Sequence, residues 1–254
     1  MDGFDDVFAT GGGDWRIAED DFQQDTLGNG NKSLEITFPN NESGAQAAIN
    51  DLQDARSIDV GYSVRLPEGI ATGSDPSNLF ASVNQSRIWS GISGELGLAS
   101  YLQYSQESAD SAGAWEYLFT YGVEGENVRF HRIPVAAPIS DYLEINYFVQ
   151  WNSDGNEDGV FMAWINDELV VEERDVVWSL SDSNPEGIWV GGHYSGAELA
   201  SPARQLTDEI RIRTKSNKII TSTNLNPTVF ASKPFQSPSG TKNWLFLRGC
   251  PIDC

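Results

Sequence analysis

The chain has 254 residues, with 37 Asp and Glu against 16 Lys and Arg, which gives a formal net charge of −21. A surface with this much negative charge repels the phosphates of nucleic acids and anionic lipids, which argues against nucleic-acid binding. No apolar run approaches the roughly 20 residues that cross a bilayer, so we expect no membrane insertion. The composition is 39% hydrophobic with 24 Gly and 11 Pro, which predicts one large core and many turns.

Along the chain, short segments of alternating character are separated by clusters of Gly, Pro, Asn and Asp. This spacing predicts an all-β antiparallel sandwich or jelly roll with one continuous core. Helical periodicity is weak, and residues 45–52 are its best short case. The predicted strands are residues 33–38, 57–66, 98–104, 115–121, 128–133, 143–151, 160–165, 188–190 and 209–214.

Two neighbouring strands carry the first candidate site residues. Trp115, Tyr117 and Tyr121 share one strand face, which is either core or the floor of a groove. On the next strand, Arg129 and His131 alternate and share a face as well. They either form a cationic site with Tyr117 or Tyr121 or are solvated at the sheet surface.

The segment from Asp154 through Asn156 to Asp158 spaces oxygen ligands as calcium loops do, but the twelfth position lacks the required Glu. A Gly-rich hairpin turn is the favoured interpretation. We expect no cofactor, with calcium at these three residues as the alternative.

After Thr214 the sequence becomes rich in Ser, Thr and Pro. We predict a jelly-roll domain over residues 1–214 and an extension over residues 215–254, packed on the sandwich or on a neighbouring copy. That second arrangement would make the protein a homo-oligomer. Both cysteines, Cys250 and Cys254, lie in this extension, and their spacing permits a local disulfide.

Three segments in this order resemble the concanavalin A-like jelly roll of polysaccharide lyases, most closely alginate lyases of family 14 and their relatives. They are residues 59–69, residues 151–169, and residues 187–192 with 200–202 and 208–212. The resemblance covers roughly residues 30–214 and implies the same fold. The fold alone does not fix the activity.

The resemblance also implies where a catalytic set would lie. In that family a Lys lies in a turn, Ser-x-Arg lies on the next strand and Tyr-x-Tyr on the one after. Here the turn is residues 87–91, so that Arg87 takes the Lys place on a loop at the rim. Ala99-Ser-Tyr101 and Tyr117-Leu-Phe119 occupy the other two positions, so the expected guanidinium and one phenol are missing.

Three functions remain open: a carbohydrate-binding or structural sandwich, a divergent lyase that cleaves a uronic-acid glycan by β-elimination, and an assembly component that docks through its extension. We expect a glycan partner and an extracellular or cell-surface location. If the protein is a lyase, Tyr117, His131, Arg129 and Arg87 are the catalytic candidates. The candidates for sugar binding are Tyr101, Gln103, Trp115, Tyr121, His193 and Tyr194.

Overall fold

The computed structural model describes residues 6–10, 14–19, 32–39, 43–50, 52, 55–68, 80–90, 97–105, 114–123, 128–136, 141–153, 156–179, 185–196, 202–216 and 245–247. These residues form fifteen β-strands and include no helix. The strands are β1 (Asp6–Thr10), β2 (Asp14–Glu19), β3 (Lys32–Phe38), β4 (Ser43–Asn50), β5 (Ala55–Glu68), β6 (Phe80–Ser90), β7 (Gly97–Ser105), β8 (Ala114–Gly122), β9 (Arg129–Val135), β10 (Leu143–Gln150), β11 (Gly159–Ile165), β12 (Glu168–Val176), β13 (Pro185–Gly196), β14 (Ala203–Ser216) and β15 (Leu245–Leu247).

The strands form two antiparallel sheets that pack face to face as a sandwich. The seven-stranded sheet has the order β1-β4-β13-β6-β7-β8-β9. The eight-stranded sheet has the order β12-β11-β10-β5-β14-β3-β2, and β15 pairs with β14 off this path. The predicted all-β antiparallel jelly roll is therefore confirmed. No helix in the described part of the chain is long and apolar enough to span a membrane.

The core lies between the sheets and is one cluster of alternating apolar residues from both. Side chains of a strand point to opposite faces in turn, so every second residue reaches the core. On the central strands β5, β7 and β10, the fully or almost fully buried members include Tyr62, Leu102 and Tyr147. The residues between them lie on the outer faces of the two sheets.

Two segments, one with weak helical periodicity and one wrongly expected to be a turn, both lie in strands. Residues 45–52, the best case for a helix, belong mostly to β4, which pairs with β1 on one side and β13 on the other. Its small residues fit a strand that is buried on both faces, as the adjacent and oppositely directed Ala47 and Ala48 show, and this packing overrides their helical propensity. Residues 87–90, expected in a rim turn, form the end of strand β6.

The structure also describes strands that the alternation did not indicate, namely β1, β2, β4, β6, β12 and β15. The last of these comes from the predicted extension and pairs with Ile210–Ile212 of β14. The boundary at residue 214 stays a prediction, and Cys250 and Cys254 lie outside the described residues.

Candidate functional site

The outer face of the seven-stranded sheet gathers polar side chains at its centre, where β13, β6 and β7 lie side by side. Val83 and Leu102 of these strands are fully buried in the core. Their chain neighbours Asn84 and Tyr101 therefore point away from the core, and both are partly exposed. His193 lies on this outer face too, because the adjacent Tyr194 packs in the core against Phe38.

Strand register aligns three of these residues across the sheet. His193 is the cross-strand partner of Asn84, and Asn84 is the partner of Tyr101. We call His193, Asn84 and Tyr101 the central row. Since neighbouring strands lie roughly 4.8 Å apart, the Cα atoms of His193 and Tyr101 are about 10 Å apart with the amide of Asn84 between them.

The carboxamide oxygen of Asn84 is an unsatisfied hydrogen-bond acceptor among the described residues. This atom, Oδ1, is buried and has no hydrogen-bond partner within the described structure. Such atoms are rare in folded proteins because an unpaired buried acceptor costs about 1–3 kcal/mol. Oδ1 has almost no accessible surface, so a donor from a bound molecule, such as a hydroxyl or a protonated carboxyl, would satisfy it only once the carboxamide turns outward.

Tyr101 and Arg87 are electrostatic neighbours on the same face. Burial raises the pKa of the Tyr101 phenol, and the positive charge of Arg87 opposes that rise. Tyr101 therefore stays protonated at neutral pH and can donate a proton, while Arg87 stabilises the phenolate that remains. Arg87 is exposed and lies on β6 rather than on a rim loop, between Trp189 of β13 and Ala99 of β7.

Next to the central row, the outer face carries residues that are already paired with each other. Gln103 of β7 donates from Nε2 to the hydroxyl of Ser82 at 3.2 Å. On β8 and β9, Glu116 and Arg132 form an ion pair. Leu118 continues the central row onto β8, as the cross-strand partner of both Tyr101 and Arg132.

The structure places Tyr117 in the core, so its assignment as a residue that touches substrate is wrong. Its side chain is fully buried, and its hydroxyl contacts that of Tyr62 and donates to Ser100 at 3.0 Å. Ser100 in turn lies 2.7 Å from Ser86, which accepts from Tyr147 at 2.9 Å. Burial raises the pKa of Tyr117 well above its usual range, so it is a neutral phenol.

Other predicted sugar-binding aromatics also face the core rather than a groove. Trp115 packs against Tyr104, with ring centroids 5.4 Å apart. Tyr121 contacts Phe161 and Trp178 of the structure's interior, and Tyr194 contacts Phe38. Of the two alternatives for the aromatic row on β8, the structure shows the core.

Arg129 and His131 do come together with Tyr121, but at the edge of the sandwich. His131 stacks on Tyr121 and lies 3.0 Å from its hydroxyl. Glu173 of β12, an edge strand of the other sheet, lies 3.3 Å from His131 and 3.1 Å from Arg129. Burial and the Glu173 charge raise the pKa of Tyr121 to about 12. We call these four residues the edge clasp, because they link β9 to β12 and Glu173 compensates the positive charge.

The candidate calcium loop is described only in part, since Asp154 lies outside the described residues. Asp158 accepts hydrogen bonds from the backbone N–H of Ser153 at 2.7 Å and from its hydroxyl, as expected of a turn. No group of three or more His, Cys, Asp or Glu that could hold a metal ion occurs in the described ranges. Calcium stays an untested prediction.

Asn84 was missed by the sequence reasoning. A β-bulge between Asn84 and Ser86 turns both Gln85 and Ser86 toward the interior, where Gln85 bonds to Gln205 and Ser86 to Ser100. These inward polar residues hide the alternation that identifies a strand. Only the pairing of β6 with β7 and β13 shows that Asn84 lies between Tyr101 and His193.

Comparisons with known proteins place this fold. No family model and no curated protein matches the sequence. Among solved structures, the endo-β-1,4-glucuronan lyase of the fungus Trichoderma reesei matches with a TM-score of 0.54 at 14% identity, over 85% of this chain and 92% of its own. The alginate lyase Aly36B matches with a TM-score of 0.52 at 15% identity, over 74% and 83%.

The marine PL-14 alginate lyase of Aplysia kurodai matches with a TM-score of 0.51 at 10% identity, over 84% of this chain and 92% of its own. At identities this low, the likeness concerns the fold and not the activity. The chain therefore has the antiparallel jelly-roll fold that is found in the glucuronan lyase and in these alginate lyases.

Proposed function

We propose that the protein is a polysaccharide lyase that binds a uronic-acid glycan across the outer face of the seven-stranded sheet and cleaves it by β-elimination. The observation that carries this proposal is the central row, in which His193 and Tyr101 flank the Asn84 carboxamide, whose oxygen has no hydrogen-bond partner among the described residues. Proteins of this fold include lyases that act on glucuronan and alginate, and both are glycans of uronic acids. Because a polysaccharide is too large to cross a membrane unaided, this substrate also favours an extracellular location.

The chemistry needs three groups, and the central row offers each of them. A base removes the proton on C5 of the uronate, the electron pair forms the C4–C5 double bond, and the bond from C4 to the glycosidic oxygen breaks. An acid then protonates that leaving oxygen. Pairing of the carboxyl with a hydrogen-bonding group makes the C5 proton more acidic.

We assign these roles by position and protonation. Asn84 turns its carboxamide outward and pairs with the uronate carboxyl, which takes up a proton from solvent on binding: the N–H donates to one oxygen, and Oδ1 accepts from the protonated other. His193 removes the C5 proton, since a neutral imidazole is a general base. Tyr101 donates to the leaving oxygen, because burial keeps the phenol protonated and Arg87 stabilises the phenolate.

The first test is product formation. Incubation with polyglucuronate, polymannuronate and polyguluronate is expected to yield oligosaccharides with an ultraviolet-absorbing double bond from at least one polymer. His193→Ala is expected to lower kcat about 100-fold or more, the usual contribution of a positioned acid or base. His131→Ala is the matched control, because His131 belongs to the edge clasp, and turnover is expected to persist. Equal turnover in wild type and His193→Ala would refute the assignment.

Glycan binding without catalysis is the second candidate, and Leu118 favours it. The resemblance places a pair of tyrosines on β8, but Tyr117 faces the core and Leu118 takes the outward position next to Tyr101. A purely binding protein would retain polyuronate in affinity electrophoresis and release no unsaturated product.

A further inference from the structure

Beyond the central row, the outer face of the seven-stranded sheet carries Trp89, whose ring packs over a glycine of the neighbouring strand. Trp89 lies on β6, five residues from Asn84; because the bulge takes up one of these residues, the distance is about that of four residues of a regular strand, roughly 13 Å. Ile88 is fully buried in the core, so its neighbours Arg87 and Trp89 both point outward. Trp89 is partly exposed, and thus lies on the same face as the central row.

The glycine under the Trp89 ring is Gly187 of β13, the cross-strand partner of Trp89. A Cβ atom at position 187 would lie 2.6 Å from Cη2 of the indole and would also meet its Cζ2 atom. The six-membered part of the ring therefore occupies the space that any side chain at 187 would need. A glycine at this position lets the indole lie over the neighbouring strand instead of projecting from its own.

Arg87 separates this aromatic group from the central row. It is exposed and points to the same side as Trp89, two residues along β6. Elsewhere the body of the protein is strongly acidic: residues 1–214 hold 36 of the 37 Asp and Glu but 11 of the 16 Lys and Arg. A local positive charge next to an apolar ring face is what a chain of anionic sugars requires, since the carboxylate pairs with the cation and the C–H face of the ring packs on the indole.

We propose that Trp89, seated over Gly187, is a distal subsite that stacks on a sugar ring of the same uronate chain whose reacting unit lies at the central row. This inference rests on the proposed function. It implies that the chain runs along β6, that affinity grows with chain length, and that Arg87 holds a carboxylate between the two positions.

The test measures binding rather than turnover, so that it does not depend on catalysis. Dissociation constants are measured by calorimetry in the Tyr101→Phe background for saturated oligouronates of increasing length and for the polymer. Trp89→Ala is expected to weaken binding of the polymer and of long oligomers about tenfold. Oligomers too short to reach from Asn84 to Trp89 are expected to bind with unchanged affinity. Trp89→Phe is expected to restore most of the loss.

Two further variants separate stacking from a structural role. Gly187→Ala retains the tryptophan but displaces its ring, and we expect the same loss for long chains only. Its Cβ would also lie 2.8 Å from the backbone oxygen of Ile49, so a fall in stability is expected with it. Trp164→Ala removes a partly exposed tryptophan from the outer face of the eight-stranded sheet and is expected to bind like its parent. Thermal unfolding of each variant checks that the fold persists.

The outcomes are distinct for the two proposals. A loss that is equal for every length, or no loss for long chains, overturns the subsite. If the long chains bind and depend on Trp89 while the wild type releases no unsaturated product, the lyase proposal fails and the subsite stands. If no uronate chain binds at any length, both fail.

Discussion

Asp59 and Arg213 are cross-strand partners on the outer face of the eight-stranded sheet, and both are largely buried. Arg213 donates from Nη1 to Asp59 Oδ2 at 3.5 Å, which is a long contact. The Oδ1 atom of Asp59 is buried and has no partner in the described ranges. Burial therefore raises the pKa of Asp59 to about 6, although the Arg213 charge opposes the rise. A carboxyl in this position is destabilising when it is ionised.

The raised pKa predicts how stability depends on pH. Between about pH 4 and pH 6 the folded state holds a proton on Asp59 that the unfolded chain has lost, so this group makes the protein less stable as pH rises through that window. At about 1.4 kcal/mol per pH unit the loss is at most about 3 kcal/mol. Urea unfolding of wild type and Asp59→Asn at pH 4 and pH 6.5 checks this. The variant is expected to lose less stability over the interval, and an identical change in both proteins would contradict the account.

At the scale of the element, β8 shows why a tyrosine pattern does not locate a site. Its inward residues Tyr117 and Phe119 pack in the core, while its outward residues Glu116 and Leu118 lie on the outer face. The Tyr117 hydroxyl belongs to a buried network with Tyr62 and Ser100. The Tyr117 hydroxyl therefore stabilises the fold and does not contact substrate.

We predict that Tyr117→Phe lowers the free energy of unfolding by about 1–2 kcal/mol, because Ser100 and Tyr62 lose a buried hydrogen-bond partner. Denaturant unfolding measures the loss. Phe119→Tyr is a useful comparison, since it adds a hydroxyl to the same core without removing a partner. An unchanged stability of Tyr117→Phe would mean that the hydroxyl network contributes nothing.

The strands were largely predictable from the sequence, whereas the site was not. Alternation in residues 143–151 or 160–165 identifies β10 and β11 because each has one apolar face. Alternation also groups Tyr117 with Tyr121, but it does not say which of the two faces points to the other sheet. The central row depends on the pairing of β13 with β6, which are distant in sequence, and on a bulge in β6. Neither can be read from one strand at a time.

At the scale of the whole molecule, the net charge of −21 opposes the approach of a polyuronate. The Debye length falls from roughly 30 Å at 0.01 M salt to roughly 8 Å at 0.15 M, so salt screens this repulsion. We therefore predict that polyuronate binding becomes tighter over that range. A methyl-esterified polymer, which lacks the charges, is expected to show little change. Binding of the polyuronate that weakens steadily with salt would indicate a cationic groove instead.

Two predictions about the extension, residues 215–254, concern the whole molecule. Residues 215–254 contain five of the sixteen Lys and Arg but one of the 37 Asp and Glu, in contrast to the acidic body. Leu245–Leu247 pair with β14 of the same chain. Homo-oligomer formation through this segment and a disulfide between Cys250 and Cys254 both stay predictions, which the mass of the native protein and of its non-reduced peptides would test.

The central claim is that chemistry takes place on the outer face of the seven-stranded sheet. Two tyrosines on neighbouring strands test it directly, because Tyr101 lies on that face and Tyr117 lies in the core. The measurement is the rate of unsaturated product formation from the best polyuronate by Tyr101→Phe and Tyr117→Phe, at a temperature where both are folded. We predict that Tyr101→Phe loses about 100-fold or more in kcat, whereas Tyr117→Phe retains it. Loss of turnover in Tyr117→Phe with normal turnover in Tyr101→Phe would contradict the account.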